Sequence, residues 1–179
     1  MPPRTDYLRP PPEEIAPFQQ AYLRTLPPDG DVMTLLERQL HETTELLSDL
    51  PEGKADFAYA PGKWTVKEVL AHVTDAERIF SYRALRFARR DATPLAPFDE
   101  NAYVPASGAA GRTLPDLLAE YHAVRRATLA LFSHLPAGAG DRRGSVGGAE
   151  VTVRALAWTI AGHEKHHQGI LRQRYLSGA

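Results

Sequence analysis

The sequence predicts an all-α fold, a four-helix bundle with an N-terminal arm and a long crossover between its second and third helices. Three observations predict it. Four stretches repeat apolar residues at alternating steps of three and four, the spacing of one helix face. Almost nothing between them alternates with the period of a strand. The gaps open and close on proline, glycine and Ser, Thr or Asp caps.

The bulk composition bounds the function. At 179 residues, 43% of them apolar, the chain can bury a sizeable core and is not disordered. A net charge of −1 and a pI near 6.7 argue against a nucleic-acid surface, which needs a basic excess. The local cluster Arg83, Arg86, Arg89 and Arg90 reads as the solvated face and end of a helix. No cysteine is present, so histidine and carboxylate are the metal ligands available. No run approaches the ~18 apolar residues of a membrane span. Prolines stand where a signal peptide needs an apolar centre, so a cytoplasmic protein is expected.

Two units are expected, an arm over 1–30 and a bundle over 31–179. The arm carries eight of the fifteen prolines. Within it Ile15, Phe18, Tyr22 and Leu26 recur at helical spacing, which predicts a short helix lying across the main body. The first long helix is expected from Asp31, its N-cap, to Leu50, with the stripe Leu36, Leu40, Thr43, Leu47, Leu50. A loop follows over 51–62.

Thr65 and Glu68 form a capping box and Trp64 a staple, so the second helix starts there and runs to about Arg90. Its inward face reads Val69, His72, Val73, Ala76, Phe80. Residues 91–112 have no helical period and hold three prolines. A loop of that length is functional or a crossover, and lets helices two and three run in one direction. Phe98, Asp99, Glu100, Asn101 and Tyr103 are the residues it can lend to a pocket. Thr113 caps the third helix, whose stripe is Leu117, Tyr121, Val124, Thr128, Leu131, Leu135, with Arg125 beside it. A glycine-rich turn or short hairpin over 137–151 leads to Thr152, the cap of the fourth helix, which ends near Leu176.

The fourth helix holds the chemistry. Its stripe is Leu156, Ile160, His163, His167, Ile170, so two histidines one turn apart stand where the pattern asks for leucine. A lone histidine on an apolar face is more often a hydrogen-bonded core residue than a ligand. A pair on the seam differs, because two buried imidazoles without a metal must each find separate partners. His72 on a second seam adds to this, although spacing does not set it beside the pair. His166 points about 100° away from His167, to a pocket rim. His41, His122 and His134 read as solvated or capping residues. The segment His163-Glu164-Lys165-His166-His167 also contains the His-Glu-x-x-His pattern of zinc proteases, whose glutamate is the general base. The scarcity of strand signal counts against that competing enzyme class.

With these residues in hand the chain resembles the DinB/YfiT-like superfamily of four-helix metal-binding proteins. The resemblance rests on Trp64-Thr65-Val66-Lys67-Glu68-Val69-Leu70-Ala71-His72-Val73, on Ala161-Gly162-His163-Glu164-Lys165-His166-His167 and on Glu13-Glu14-Ile15-Ala16-Pro17. It implies an up-down-down-up bundle, commonly a homodimer, with His72, His163 and His167 on one divalent metal. Zinc or nickel is the metal the resemblance implies, and several members resemble S-transferases that use low-molecular-weight thiols such as bacillithiol.

Three neutral imidazoles would leave a divalent ion its full charge and an open position. With the resemblance, the expected function is that of a metal-dependent S-transferase that activates a small thiol, or failing that a water, for attack on a small-molecule electrophile, with no nucleic acid or membrane as partner. A metal-dependent hydrolase and a non-enzymatic metal-binding stress-response protein are the other classes left open. Arg125 and the 91–112 loop are candidates to hold acidic groups of the substrate, and Asp75 or Glu68 to orient His72.

Overall fold

A computed structural model describes residues 7–177. The first six residues of the expected arm, with two of its prolines, and the last two of the chain lie outside the described residues. Among the described residues no helix is long and apolar enough to cross a membrane.

The arm is a chain of single turns. Prolines open two 3₁₀ turns, Pro12–Glu14 and Pro17–Gln19, as fixed φ and a missing N–H suit a first helical position. The helix α1 is Gln20–Leu23, shorter than the spacing predicted, and Leu23 takes the buried place while Phe18 is 60% exposed. The Tyr7 hydroxyl donates to the Phe132 carbonyl at 3.0 Å, and Trp158 Nε1 donates to the Tyr7 carbonyl at 3.0 Å.

Helix α2, Val32–Leu47, starts where Asp31 accepts from the Met33 amide. It stops three residues early, because Pro51 disfavours helical conformation before it. The short α3, Glu52–Ala55, lies inside the expected 51–62 loop. Helix α4, Val66–Ala88, opens on the predicted capping box: Thr65 N donates to Glu68 Oε2 at 2.7 Å, and Glu68 N to Thr65 Oγ1 at 3.2 Å.

The 91–112 segment is not the irregular loop its prolines suggested. It holds α5, Glu100–Ala106, capped by Asp99, and a 3₁₀ turn at Ala109–Gly111. Arg83 is also not solvated. It is 5% exposed, donates to the Ala96 carbonyl at 3.0 Å, and lies over Phe80 and Phe98. It therefore fastens the crossover to α4.

Helix α6 is Leu114–Ser133, capped by Thr113. The expected turn or hairpin is a hairpin of β1, Arg143–Val146, and β2, Ala149–Thr152. Gly147 and Gly148 form its two-residue turn at φ 56° and 84°, left-handed values that glycine adopts without cost. Leu95 of the crossover joins it, donating to the Ser145 carbonyl at 2.9 Å. Helix α7, Val153–Ile170, begins at its predicted cap Thr152 and continues into a π turn, Leu171–Tyr175.

The four long helices α2, α4, α6 and α7 enclose two apolar clusters, one around Phe80, Phe132 and Trp158 and one around Leu47, Leu70 and Leu117. On each helix the residues between the two are polar and buried: Gln39 and Thr43 on α2, His72 and Thr74 on α4, Arg125 and Thr128 on α6, and His163, Glu164, His167 and Gln168 on α7. This is a four-helix bundle crossed at mid-height by a polar belt. Buried polar groups must be paired or must bind something, so the belt holds either an internal network or a ligand site.

Candidate metal centre

One half of the belt is a histidine cluster. His72 comes from α4, and His163 and His167 lie one turn apart on α7. The Nε2 atoms of His72 and His163 are 3.0 Å apart. Ring centroids are separated by 4.8 Å for His72 and His163, 4.9 Å for His72 and His167 and 4.6 Å for His163 and His167. One ligand atom from each lies within 4.8 Å of the others, and all three residues are buried. The three predicted ligands thus meet.

Burial also sets their protonation. Loss of hydration pushes His72 down to about 4, partly opposed by the charge of Glu100. It pushes His167 down to about 3 and holds His163 well below its ordinary value, with the neighbouring imidazoles adding to the effect. All three are neutral at pH 7, the form that offers a lone pair to a metal.

A donor set of this kind suits a divalent ion. Two nitrogens each about 2.0–2.1 Å from one cation stand roughly 3 Å apart, as the two facing Nε2 atoms do. His167 Nδ1 is buried with no hydrogen-bond partner among the described residues. Three uncharged imidazoles crowded together with an orphaned nitrogen are a costly arrangement that one cation relieves. The residues present fit the group.

The other half of the belt is a closed ion network, and it corrects the expectation that Arg125 holds a substrate. Arg125 is fully buried. It donates to both Glu77 oxygens at 2.9 and 2.8 Å, to the Leu36 carbonyl at 2.7 Å and to Glu164. Burial opposes its charge, yet Glu164 and Glu77 hold its pKa well above the ordinary value. Its donors are engaged inside the protein, so it does not hold a substrate.

Glu164 is consumed by the same network. Besides Arg125 it accepts from Thr43 Oγ1 and Tyr121 Oη, each at 2.6 Å. In a helix, position 164 points about 100° from 163, toward α2 and α6. The protease-like pattern is present in sequence only, since its glutamate has no role at the histidines. Nor do the proposed orienting carboxylates reach His72: Glu68 closes the α4 cap, and Asp75 pairs with Arg78.

Aromatic side chains wall the cluster. The Tyr22 ring of α1 meets His163 edge-on at 5.2 Å and His166 at 5.5 Å. Gly162 permits this: a Cβ there would come within 2.6 Å of the Tyr22 carbonyl oxygen. Trp64 lies 4.8 Å from His72. A cavity of about 260 Å³ runs beside His167, lined among others by Tyr59, Lys63, Trp64, Asn101 and Tyr175. Of the loop residues expected at a pocket, Asn101 lines it. The charge of Glu100 acts on both His72 and Tyr22. Phe98 instead packs on Tyr103 and under Arg83, and Asp99 caps α5.

Tyr22, Tyr59, Lys63 and Tyr175 were missed as site residues. Gly162, a helix-weakening residue beside His163, was the available signal of a close approach. Among the other histidines, His122 bonds Thr44, His134 bonds the Ala130 carbonyl, and His166 is exposed at the rim.

No curated protein matches the chain. Among solved structures it is similar to YfiT from Bacillus subtilis, described as a probable metal-dependent hydrolase with an unusual four-helix bundle topology. That likeness has a TM-score of 0.73 at 17% identity and covers 94% of this chain and 93% of that one. At this identity it shows the fold. The profile of the DinB superfamily matches residues 35–171, a span that runs from α2 into the π turn after α7 and includes all three clustered histidines. The chain belongs to the DinB superfamily.

Proposed function

We propose that the protein is a divalent-metal-dependent enzyme in which His72, His163 and His167 hold the ion and a small nucleophile is activated on its open side. The observation that carries this reading is the meeting of three buried, neutral imidazoles beside a cavity. A bound divalent cation supplies an electrophilic centre and acidifies the nucleophile it carries. The chain's own residues do the rest. Trp64 and Tyr22 close two sides and exclude water, Val69 and Ile170 line an apolar wall, and Asn101 offers an amide at the cavity.

Hydrolysis is the reaction class we favour. The cavity is smaller than the ~300–1,000 Å³ that a drug-sized ligand needs, which leaves little room for a thiol cosubstrate beside a second reactant. The similarity to a structure described as a metal-dependent hydrolase agrees. Thiol transfer is the second reading, and the aromatic walls favour it, because sulfur packs well on ring edges. Zinc and nickel both suit imidazole ligands.

The wider reading has four parts: an up-down-down-up bundle, a small-molecule substrate, a cytoplasmic location and a homodimer. The bundle order is supported by partners that ascend together, Glu77 with Arg125 and Ser81 with Thr128, and Gln39 with Ala161 and Thr43 with Gln168.

Elemental analysis of untagged protein, then an ester and thioester screen with and without added thiol, tests the function. About one divalent ion per chain and thiol-independent turnover are expected. Turnover that needs the thiol selects the transferase, and protein free of metal with full activity overturns both.

A further inference from the structure

We propose, resting on the reading of this site as the reactive centre, that its substrate is a small organic anion with a flat apolar body, an arylcarboxylate in chemical class. The cavity's walls carry this. Tyr59, Trp64 and Tyr175 present three rings to one space of about 260 Å³. Tyr59 and Tyr175 meet edge-on at 5.0 Å, and Phe57 adds a further ring 6.2 Å from Tyr175. Tyr59, which lines the cavity, is 37% exposed, so apolar ring surface is left uncovered there. Rings arranged edge-on favour another planar ring over an aliphatic chain.

The backbone is bent to build this wall. In an α-helix Tyr175, eight residues past His167, would sit about 80° around the axis from it. The π turn Leu171–Tyr175 winds more slowly, its bond running from the Leu176 amide to the Leu171 carbonyl at 3.0 Å, and takes up part of that angle. The Tyr175 hydroxyl is used up by the Trp64 carbonyl at 2.6 Å, which leaves its ring as what the cavity meets.

Lys63 supplies the charge preference. It lines the cavity and makes no ion pair among the described residues. The other lysines are engaged: Lys67 with Glu52 and Asp56, Lys165 with Glu42, and Lys54 over the Phe57 ring. Lys63 is exposed and shares the cavity lining with Asn101 and the rings, and a lysine there without an acidic partner selects a carboxylate on a flat body. The cavity's volume limits that body to a single small ring system.

Trp64 reports binding directly, because the other tryptophan, Trp158, is fully buried in the core. Zinc-loaded protein is titrated with benzoate, benzamide and acetate while tryptophan emission is followed. Saturable quenching by benzoate is expected, with benzamide and acetate each weaker by about threefold or more. Lys63→Met should weaken benzoate about threefold and leave benzamide unchanged, whereas Tyr59→Ala should weaken both. Equal affinity for benzamide, or a benzoate affinity indifferent to Lys63→Met, overturns the proposal. Metal content is measured on the same samples. Protein that holds no metal yet prefers benzoate through Lys63 overturns the metal reading and leaves this one standing, and metal-loaded protein blind to Lys63→Met does the reverse.

Discussion

His72 and His163, 91 positions apart in the chain, face each other Nε2 to Nε2 at 3.0 Å. Two neutral imidazoles at that distance share one proton at best, and His167 brings a third ring to within 4.9 Å. A cation that binds only the folded cluster stabilises it by mass action. At about a hundredfold excess over Kd the gain is about 2.7 kcal/mol, or roughly 5–10 °C in Tm for a chain of this size. Zinc titrated into chelator-treated protein should produce that shift, and His163→Ala should abolish it. An equal shift in the variant would place the metal elsewhere.

Glu164 separates a structural role from a catalytic one. Glu164→Gln leaves an oxygen for Thr43 and Tyr121 but removes one of the two carboxylates that balance buried Arg125. Loosening a buried ion network of this kind should cost about 2–4 kcal/mol in denaturant unfolding. Metal content and turnover per folded molecule should stay at the wild-type level. Loss of turnover by orders of magnitude in a variant that still holds metal would restore the protease-like general base.

Two glycines on one helix make a controlled pair. Gly162→Ala gains up to about 1 kcal/mol of helix propensity, but its Cβ would lie 2.6 Å from the Tyr22 carbonyl oxygen. Backbone must then move, at about 1–3 kcal/mol, so the clash wins and α1 lifts from His163. Gly169→Ala meets nothing within 4 Å among the described residues and should stabilise by up to about 1 kcal/mol. Thermal melts read both signs, and faster proteolysis within residues 12–26 reads the lifting of the arm. A Gly162→Ala protein as stable as wild type would show that the arm does not press on α7.

Sequence patterning reached the elements whose signals are local. The Thr65 and Glu68 box, the Thr113 and Thr152 caps and the 3.6-residue stripes are decided within a few neighbours, and each stands in the structure. His163 and His167 are bound together by one helix, so their pairing was legible, while His72 needed the resemblance to join them. What failed was long-range. Nothing near Arg83 in sequence shows that Ala96 and Phe98 will cover it. Nothing near Arg125 shows that Glu77 and Glu164 will converge on it from two other helices. Helix α5 was hidden by Pro105 inside it, and Tyr175 by a π turn that no period of 3.6 anticipates.

The arm also reaches α7 through Glu14, and that contact gives the fold a pH dependence. Glu14 accepts from Arg154 Nε at 2.6 Å and from the cap residue Thr152 at 2.9 Å, so it steadies the start of the helix that carries two of the histidines. The Arg154 bonds lower its pKa against the opposing effect of burial, with Thr152 adding to the lowering. A carboxylate depressed in the folded state below its ordinary 4.5 binds fewer protons folded than unfolded. Its stabilisation is therefore complete above about pH 4.5 and lost as pH falls through the folded value. Glu14→Gln should be less stable than wild type by about 1–3 kcal/mol at pH 7. The difference should shrink on acidification below 4.5 and close once Glu14 is protonated in both states. Urea unfolding of both proteins across that range measures it, and a gap that stays constant into strong acid would mean that packing of the side chain, not its charge, holds the arm.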